Sequence, residues 1–170
     1  MSDDRSNIEK PEYLSDEDWA TILDQTSSVD RIKSDTKNDV ADYLANPAGR
    51  AAGEGPSGLP TLLLTTIGRK SGKERTCALV FLTDGDTYVV VGSLAGYDSH
   101  PAWCHNLRAN SDCWVQLDDK KMKAVARDVT DEERAAIWPK LDGLFPVWGH
   151  FQKQTDRPFP IVILTPTGPA

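Results

Sequence analysis

The stretch Leu59–Val91, LPTLLLTTIGRKSGKERTCALVFLTDGDTYVVV, decides the fold. It holds three short runs rich in apolar and β-branched residues: Thr61–Ile67, Thr76–Thr83 and Thr87–Val91. Gly68–Arg75 separates the first two, and Asp84-Gly-Asp separates the second and third. Short apolar runs with such punctuation predict antiparallel strands joined by hairpins. Because each run is apolar at successive positions, both faces must be covered, as in a closed or doubly packed sheet. Downstream, Cys113–Leu117 and Met122–Val129 predict another hairpin around Asp118-Asp-Lys-Lys. Met122, Ala124 and Ala126 face one way there, with Lys123 and Arg127 opposite. Pro160–Thr165, PIVILT, supplies a last strand. Pro101 starts a short helix. Thr130-Asp-Glu-Glu133 is a capping box for a longer helix carrying Ala135, Trp138, Leu141 and Phe145. Pro139 must kink that helix or begin a new turn of it. Six strands with interposed helices and no regular β-α-β alternation give a small α+β barrel, not a Rossmann fold.

Upstream of Leu59 the texture is polar. Residues 1–14 predict a mobile tail. Ser15 caps a short helix that puts Trp19, Ile22 and Leu23 on one face, and a second helix is expected from about Ser34 to Leu44. Residues 46–58 contain four glycines and two prolines and predict a linker or long loop. The chain therefore divides into residues 1–58, an acidic region with short helices and a Gly/Pro linker, and residues 59–170, the barrel.

The 170 residues carry 19 basic and 26 acidic side chains, a formal net charge of −7. Residues 1–30 hold nine acids and two bases, so the rest of the chain is neutral overall. The acidity thus mostly describes one end, and no nucleic-acid partner is expected because the basic patch of the body is short and has no aromatics interleaved with it. No apolar run approaches the roughly 18 residues that span a bilayer, and the first five residues lack the basic start of a secretory signal. Cys77, Cys104 and Cys113 form no C-x-x-C pair, which argues against disulfides and a zinc module. A reduced, cytoplasmic protein is expected.

Three features can carry chemistry. Gly68–Arg75, GRKSGKER, places four bases in eight residues at a hairpin turn, where glycines let backbone N–H groups converge and arginine forks recognise phosphate or carboxylate. It is an anion cradle or a plain solvated turn. It is not a P-loop, because only three residues separate Gly68 from Gly72 and a strand follows. The second feature is Ser93-Leu94-Ala95-Gly96, followed by His100–Leu107, HPAWCHNL. His100, Cys104 and His105 lack a fourth ligand and a metal-site spacing, so no metal is expected. Cys104 and His105 are adjacent on a helix and diverge, so they do not form a nucleophile–base pair. The third is the aromatic density of Trp138, Phe145, Trp148, Phe151 and Phe159, which is either core or the wall of a flat apolar pocket.

The blocks LLLTTIGRKSGKERTCALVFLTDGDTYVVVGS, HPAWCHNLRAN, ARDVTDEERAAIWPKL and FPVWGHFQKQTDRPFPIVIL, in this order, resemble the deazaflavin-dependent nitroreductase (Ddn) family, whose members use coenzyme F420. The resemblance covers about Leu59 to Pro166. It implies an α+β fold built on a small antiparallel split β-barrel of the FMN-binding-like kind, with about six strands and flanking helices. It also implies an oxidoreductase that passes a hydride from the reduced deazaflavin to an activated enone or quinone. By position, Arg69, Lys70 and Ser71 match the contacts to the phosphate and glutamate tail, and Arg75, Thr76, Cys77, Ala78, Leu79 and Val80 match the strand beside tail and ring. Val91, Gly92, Ser93 and Leu94 match the segment under the ring, and Ala102, Trp103, Cys104, His105 and Asn106 the helix start that borders it. Ser93 and Trp148 are the implied catalytic residues, and Phe145, Trp148 and Phe151 the implied acceptor pocket.

The family often has Ser-Lys-Gly-Gly where this chain has Ser93-Leu-Ala-Gly96, which shifts the charge burden onto Arg69, Lys70 and Arg75. Nitroreducing relatives carry tyrosines where this chain has Trp148 and Phe151, so a nitroaromatic acceptor is disfavoured. His150 lies close to these in sequence, with a titration range suited to proton delivery. The alternatives are a non-catalytic carrier of F420 or a lipid-like ligand, and an FMN-dependent reductase whose single phosphate needs a smaller cradle. The resemblance also leans towards a monomer, without stable membrane insertion and with at most peripheral association.

Overall fold

The computed structural model describes Arg5 and residues 7–170. The first four residues and Ser6, on which part of the tail and leader expectations rest, lie outside the described residues. Seven strands form one antiparallel sheet: β1 (Thr61–Ile67), β2 (Glu74–Val80), β3 (Leu82–Asp84), β4 (Thr87–Val91), β5 (Asp112–Leu117), β6 (Lys120–Asp128) and β7 (Ile161–Pro169). Their order is β2-β1-β5-β6-β7-β4-β3. β2 and β3 thus stand at opposite edges, yet Phe81 alone separates them in the chain. One residue spans at most about 3.6 Å, so the sheet has to curl until its edges meet at Phe81. Phe81 is buried there, and its N–H donates to Pro60 O at 3.1 Å. The result is an α+β split barrel. The count of six expected strands becomes seven because the apolar run Thr76–Thr83 changes partners midway, from β1 to β4.

Alternation along the strands explains why both faces are apolar. Val90, Val162 and Leu164 point into one cluster with Leu62, Leu64 and Val115, while Val89, Val91, Ile161 and Ile163 point into another. The first cluster is capped by α3 (Ala102–Ala109) through Trp103, Cys104 and Leu107. The second takes Ile137 and Leu141 of α4 (Asp131–Leu144) and Val147, Trp148 and Phe151 of α5 (Val147–Gln152). Each fully buried Leu or Ile contributes about 1.5–3 kcal/mol of apolar transfer.

The N-terminal region packs on the second cluster. α1 (Asp16–Gln25) is capped by Ser15, whose hydroxyl accepts from Asp18 N–H, and buries Trp19. Where a loose tail was expected, Ile8 is only 5% exposed in the same cluster. α2 (Val29–Ala45) starts a turn and a half earlier than the expected Ser34, because the Ser28 hydroxyl already caps Arg31 N–H. Its buried side comprises Ile32 and Tyr43, whereas Leu44 is 56% exposed. Tyr43 Oη donates to Thr61 O at 2.9 Å and accepts from Asp118 N–H at 3.1 Å, pinning α2 to β1 and the β5–β6 turn. That turn is two residues, Asp118 and Asp119, since Leu117 already pairs with Lys120. The capping box at Thr130 forms as expected. α4 passes through Pro139 and buries Ile137 and Leu141, leaving Ala135 exposed.

Candidate active site

The hairpin between β1 and β2 is closed by backbone bonds: Gly68 N–H donates to Lys73 O at 2.8 Å, and Gly72 N–H to Gly68 O at 2.8 Å. The Ser71 side chain folds over Gly68, where a Cβ would stand 2.5 Å from Ser71 Oγ and would require that hydroxyl to turn away. Arg69, Lys70, Ser71, Lys73 and Arg75 are all exposed, and none of these four cations forms an ion pair among the described residues. The root of the loop is fixed from α3. Asn106, 6% exposed, accepts from Arg69 N–H at 3.1 Å and donates to Thr66 Oγ1 at 3.0 Å.

β2 runs away from this loop with Thr76, Cys77, Ala78, Leu79 and Val80 half-buried, in contrast to the buried centre of β1 beside it. A polar pair, Thr65 Oγ1 and Thr76 Oγ1 at 2.7 Å, bridges the strands. Burial pushes the Cys77 thiol up to about 12, so it is neutral here.

The Ser93 segment leaves the buried end of β4. Val91 and Gly92 are covered, and Gly92 N–H donates to Pro160 O at 2.7 Å. A Cβ on Gly92 would meet Cys104 Sγ at 2.6 Å, which is how closely α3 approaches. Ser93 and Leu94 are half-exposed. The turn that follows has φ of 40° at Leu94, 51° at Ala95 and 82° at Gly96. Left-handed backbone costs a non-glycine residue roughly 1–2 kcal/mol, and such strain gathers at functional sites.

Two arginines absent from the sequence expectations hold this segment. Arg157 donates to Gly92 O at 3.1 Å, Ser93 O at 2.6 Å and Tyr97 O at 2.6 Å, and it bonds His100 Nδ1 at 3.0 Å. Arg5, 8% exposed, donates to Ala95 O and stacks over the Tyr97 ring at 4.4 Å. Neither carries a local sequence signal, because the partners are backbone oxygens far along the chain.

On α3, Ala102 is exposed and His105 half-exposed, whereas Trp103, Cys104 and Asn106 are buried and support the site from behind. Burial and the charges of Arg69, Arg108 and Lys70 hold His105 below its usual range, which places this imidazole beside the cationic loop. Burial pushes the Cys104 thiol up to about 12, leaving no thiolate for nucleophilic chemistry. Among the described residues no group of three or more His, Cys, Asp or Glu side chains gathers as a metal site.

The structure does not put the aromatic residues in open contact with Ser93. Trp148 and Phe151 are each 5% exposed, in one cluster with Ala95, Tyr97, Ile8 and Trp19. Phe145, half-buried, packs edge-on against Trp148 at 5.2 Å. His150 Nδ1 is buried without a partner among the described residues. An open cleft of about 440 Å³ beside α4 and α5 is lined by Arg134, Trp138, Gly149, Gln152, Asp156 and Pro158, of which only Trp138 is among the aromatic candidates.

The four exposed bases of the hairpin, with half-exposed β2 beside them, suit a long polyanion. An F420H(2)-dependent quinone reductase of Mycobacterium tuberculosis is 35% identical over 120 residues, which is 69% of this chain and 80% of that protein. A solved structure described as an F420-H2 dependent reductase (FDR-A) is 36% identical, covers 62% of this chain and 93% of its own, and superposes with a TM-score of 0.57. Another, described as a domain-swapped dimer, is 32% identical, with a TM-score of 0.58 over 73% of this chain and 98% of its own. The model of the F420H(2)-dependent quinone reductase family matches residues 37–166; the chain belongs to that family and is an oxidoreductase that draws on reduced coenzyme F420.

Proposed function

We propose that the chain reduces a quinone, holding F420 by its tail at Gly68–Arg75 and by its ring at the Ser93 turn. The observation that carries this is the set of four exposed cations that form no ion pair among the described residues, mounted on a buttressed loop at one end of half-exposed β2. When bound, the reduced cofactor supplies a hydride. The protein's own residues bind, orient and exclude water. Arg69, Lys70 and Arg75 attract the phosphate and carboxylates, with Ser71 Oγ as a neutral partner. Thr76–Val80 line the path to the ring, and Ser93 and Leu94 meet it, with Ala102 and His105 at its border. Val91, Gly92, Trp103, Cys104 and Asn106 fix that surface from beneath. Ser93 Oγ donates a hydrogen bond to the acceptor oxygen as negative charge develops there.

Trp148, Phe151 and Phe145 form the apolar wall for the acceptor. Ile8 and Trp19 lie in the same cluster, so the acceptor reaches Trp148 only when the N-terminal segment lifts. Residues 59–170 are accordingly the cofactor-binding unit and residues 1–58 its cover. A quinone is favoured over an enone by the family. A nitroaromatic, disfavoured by the sequence as well, ranks last because Trp148 and Phe151 offer no phenolic proton.

No helix among the described residues is long and apolar enough to cross a membrane. We place the enzyme in the cytoplasm, meeting its quinone at most peripherally. We take the enzyme to act as a monomer; light scattering separates this from a dimer.

The test is tryptophan-fluorescence titration with F420 and with FMN, followed by reoxidation of reduced F420 on adding a soluble quinone. Each screened cation contributes about 1 kcal/mol, so the Arg69→Ala/Arg75→Ala variant is expected to raise the F420 Kd at least tenfold, and less so in high salt. An unchanged Kd would remove the cradle, tighter binding of FMN would replace the cofactor, and binding without reoxidation would make the protein a carrier.

A further inference from the structure

Arg157 lies between α5 and β7, within the last block of the resemblance but outside the site residues it implies. Its guanidinium spends all its reach on one segment: Nε on Tyr97 O, Nη1 on Gly92 O and His100 Nδ1, and Nη2 on Ser93 O, each within 3.1 Å. Its face covers the Phe159 ring at 4.9 Å. The group is half-buried and, among the described residues, makes no ion pair. Withdrawing a permanent cation from water without a carboxylate partner is costly, so ion-pair stability is not what this arrangement supplies. What it supplies is geometry. The clamped oxygens flank the turn at Leu94 and Ala95, whose φ values of 40° and 51° need surroundings that over-determine them. The His100 contact reaches across to the residue before Pro101, the N-cap of α3.

We propose that Arg157 is the positioning residue of this site: its planar fork fixes the Ser93–Gly96 turn and the His100 end of α3 as one rigid ledge for the ring. The inference rests on the assignment of Ser93 and α3 as ring-side elements. One consequence needs no cofactor. A guanidinium N–H can only donate, so His100 Nδ1 accepts and the ring proton sits on Nε2. A lysine at position 157 offers one compact ammonium in place of a fork and cannot hold the same oxygens in plane.

The experiment has three readouts. In cofactor-free protein, long-range nitrogen–proton NMR of the histidines is expected to show His100 as the Nε2–H tautomer, and Arg157→Lys to lose that uniform state; an Nδ1–H tautomer in the unsubstituted chain overturns the contact. In Arg157→Lys, turnover of a soluble quinone at saturating reduced F420 is expected to fall at least about 30-fold, as misplacement by an ångström does, while the F420 Kd, set mainly by the cradle, rises less than about fivefold. In Arg157→Ala, added guanidinium is expected to restore at least about tenfold of the lost rate and urea none, which a merely destabilised fold would not show. A rate for Arg157→Lys within threefold of the unsubstituted enzyme, or no rescue by guanidinium, overturns the proposal. The two layers separate cleanly. An unchanged Kd in Arg69→Ala/Arg75→Ala refutes the site and the proposal with it. A weakened cradle variant beside an unimpaired Arg157→Lys refutes Arg157 alone.

Discussion

Asn106 ties α3 to the root of the basic loop, and replacing it tests whether that loop is built or merely exposed. Asn106→Leu removes the acceptor for Arg69 N–H at 3.1 Å and the donor to Thr66 Oγ1 at 3.0 Å, while keeping the side chain's branching and heavy-atom count. The two losses are unequal. Arg69 is exposed, so water can replace its partner, at a net cost of about 1 kcal/mol. Thr66 is 0% exposed, so its hydroxyl is left without a partner at about 1–3 kcal/mol. The better burial of leucine returns about 1 kcal/mol, leaving roughly 2 kcal/mol and a fall in melting temperature of about 4–8 °C for a domain of this size. The loop released at Arg69 must then be ordered by the ligand, so the F420 Kd should rise about tenfold as well. Thermal denaturation and fluorescence titration of the same sample read both effects. Asn106→Asp separates them: it keeps an acceptor for Arg69 N–H but puts a negative charge beneath the cradle, so affinity should fall more than stability. A leucine variant that melts within a degree of the unsubstituted protein and binds F420 equally well would refute the buttress.

His105 makes cofactor affinity depend on pH. Because burial and the charges of Arg69, Arg108 and Lys70 hold it below the ordinary histidine value, its contribution to stability is present above that value, about 6.5, and is lost as pH falls below it. A bound polyanion offsets those cations and raises His105, so protons should be taken up on binding below the ordinary histidine value; calorimetry in buffers of different ionisation enthalpy measures this, and equal uptake in His105→Gln would assign it elsewhere. Tyr43→Phe removes the bonds to Thr61 O and Asp118 N–H that pin α2, and urea denaturation should show a loss of about 1–2 kcal/mol with an unchanged slope. A loss below about 0.5 kcal/mol would mean that packing alone holds α2.

The barrel was legible because its strands are apolar on both faces, a pattern that only a doubly covered sheet satisfies, and because Thr130–Glu133 announces its helix by capping chemistry alone. The cradle was legible for a similar reason: four bases between two glycines at a hairpin are a local departure from the composition around them. What escaped is what depends on partners. Thr76–Thr83 looks like one strand, and nothing in the run says that Phe81 is where it leaves β1 for β4; curling of the whole sheet decides that. The ring-side ledge is harder still. Its clamp, Arg157, recognises backbone oxygens of Gly92, Ser93 and Tyr97, which every residue type would present. The turn it holds is one that Leu94 and Ala95 are poorly suited to adopt, with the Ser-Lys-Gly-Gly common in the resembling family giving way to alanine at φ 51°. Local propensity fails at that point, and it fails beside Ser93. A chain that accepts such strain there and sets the Arg157 guanidinium against it has fixed a geometry that its local sequence does not favour, as expected where position matters more than stability.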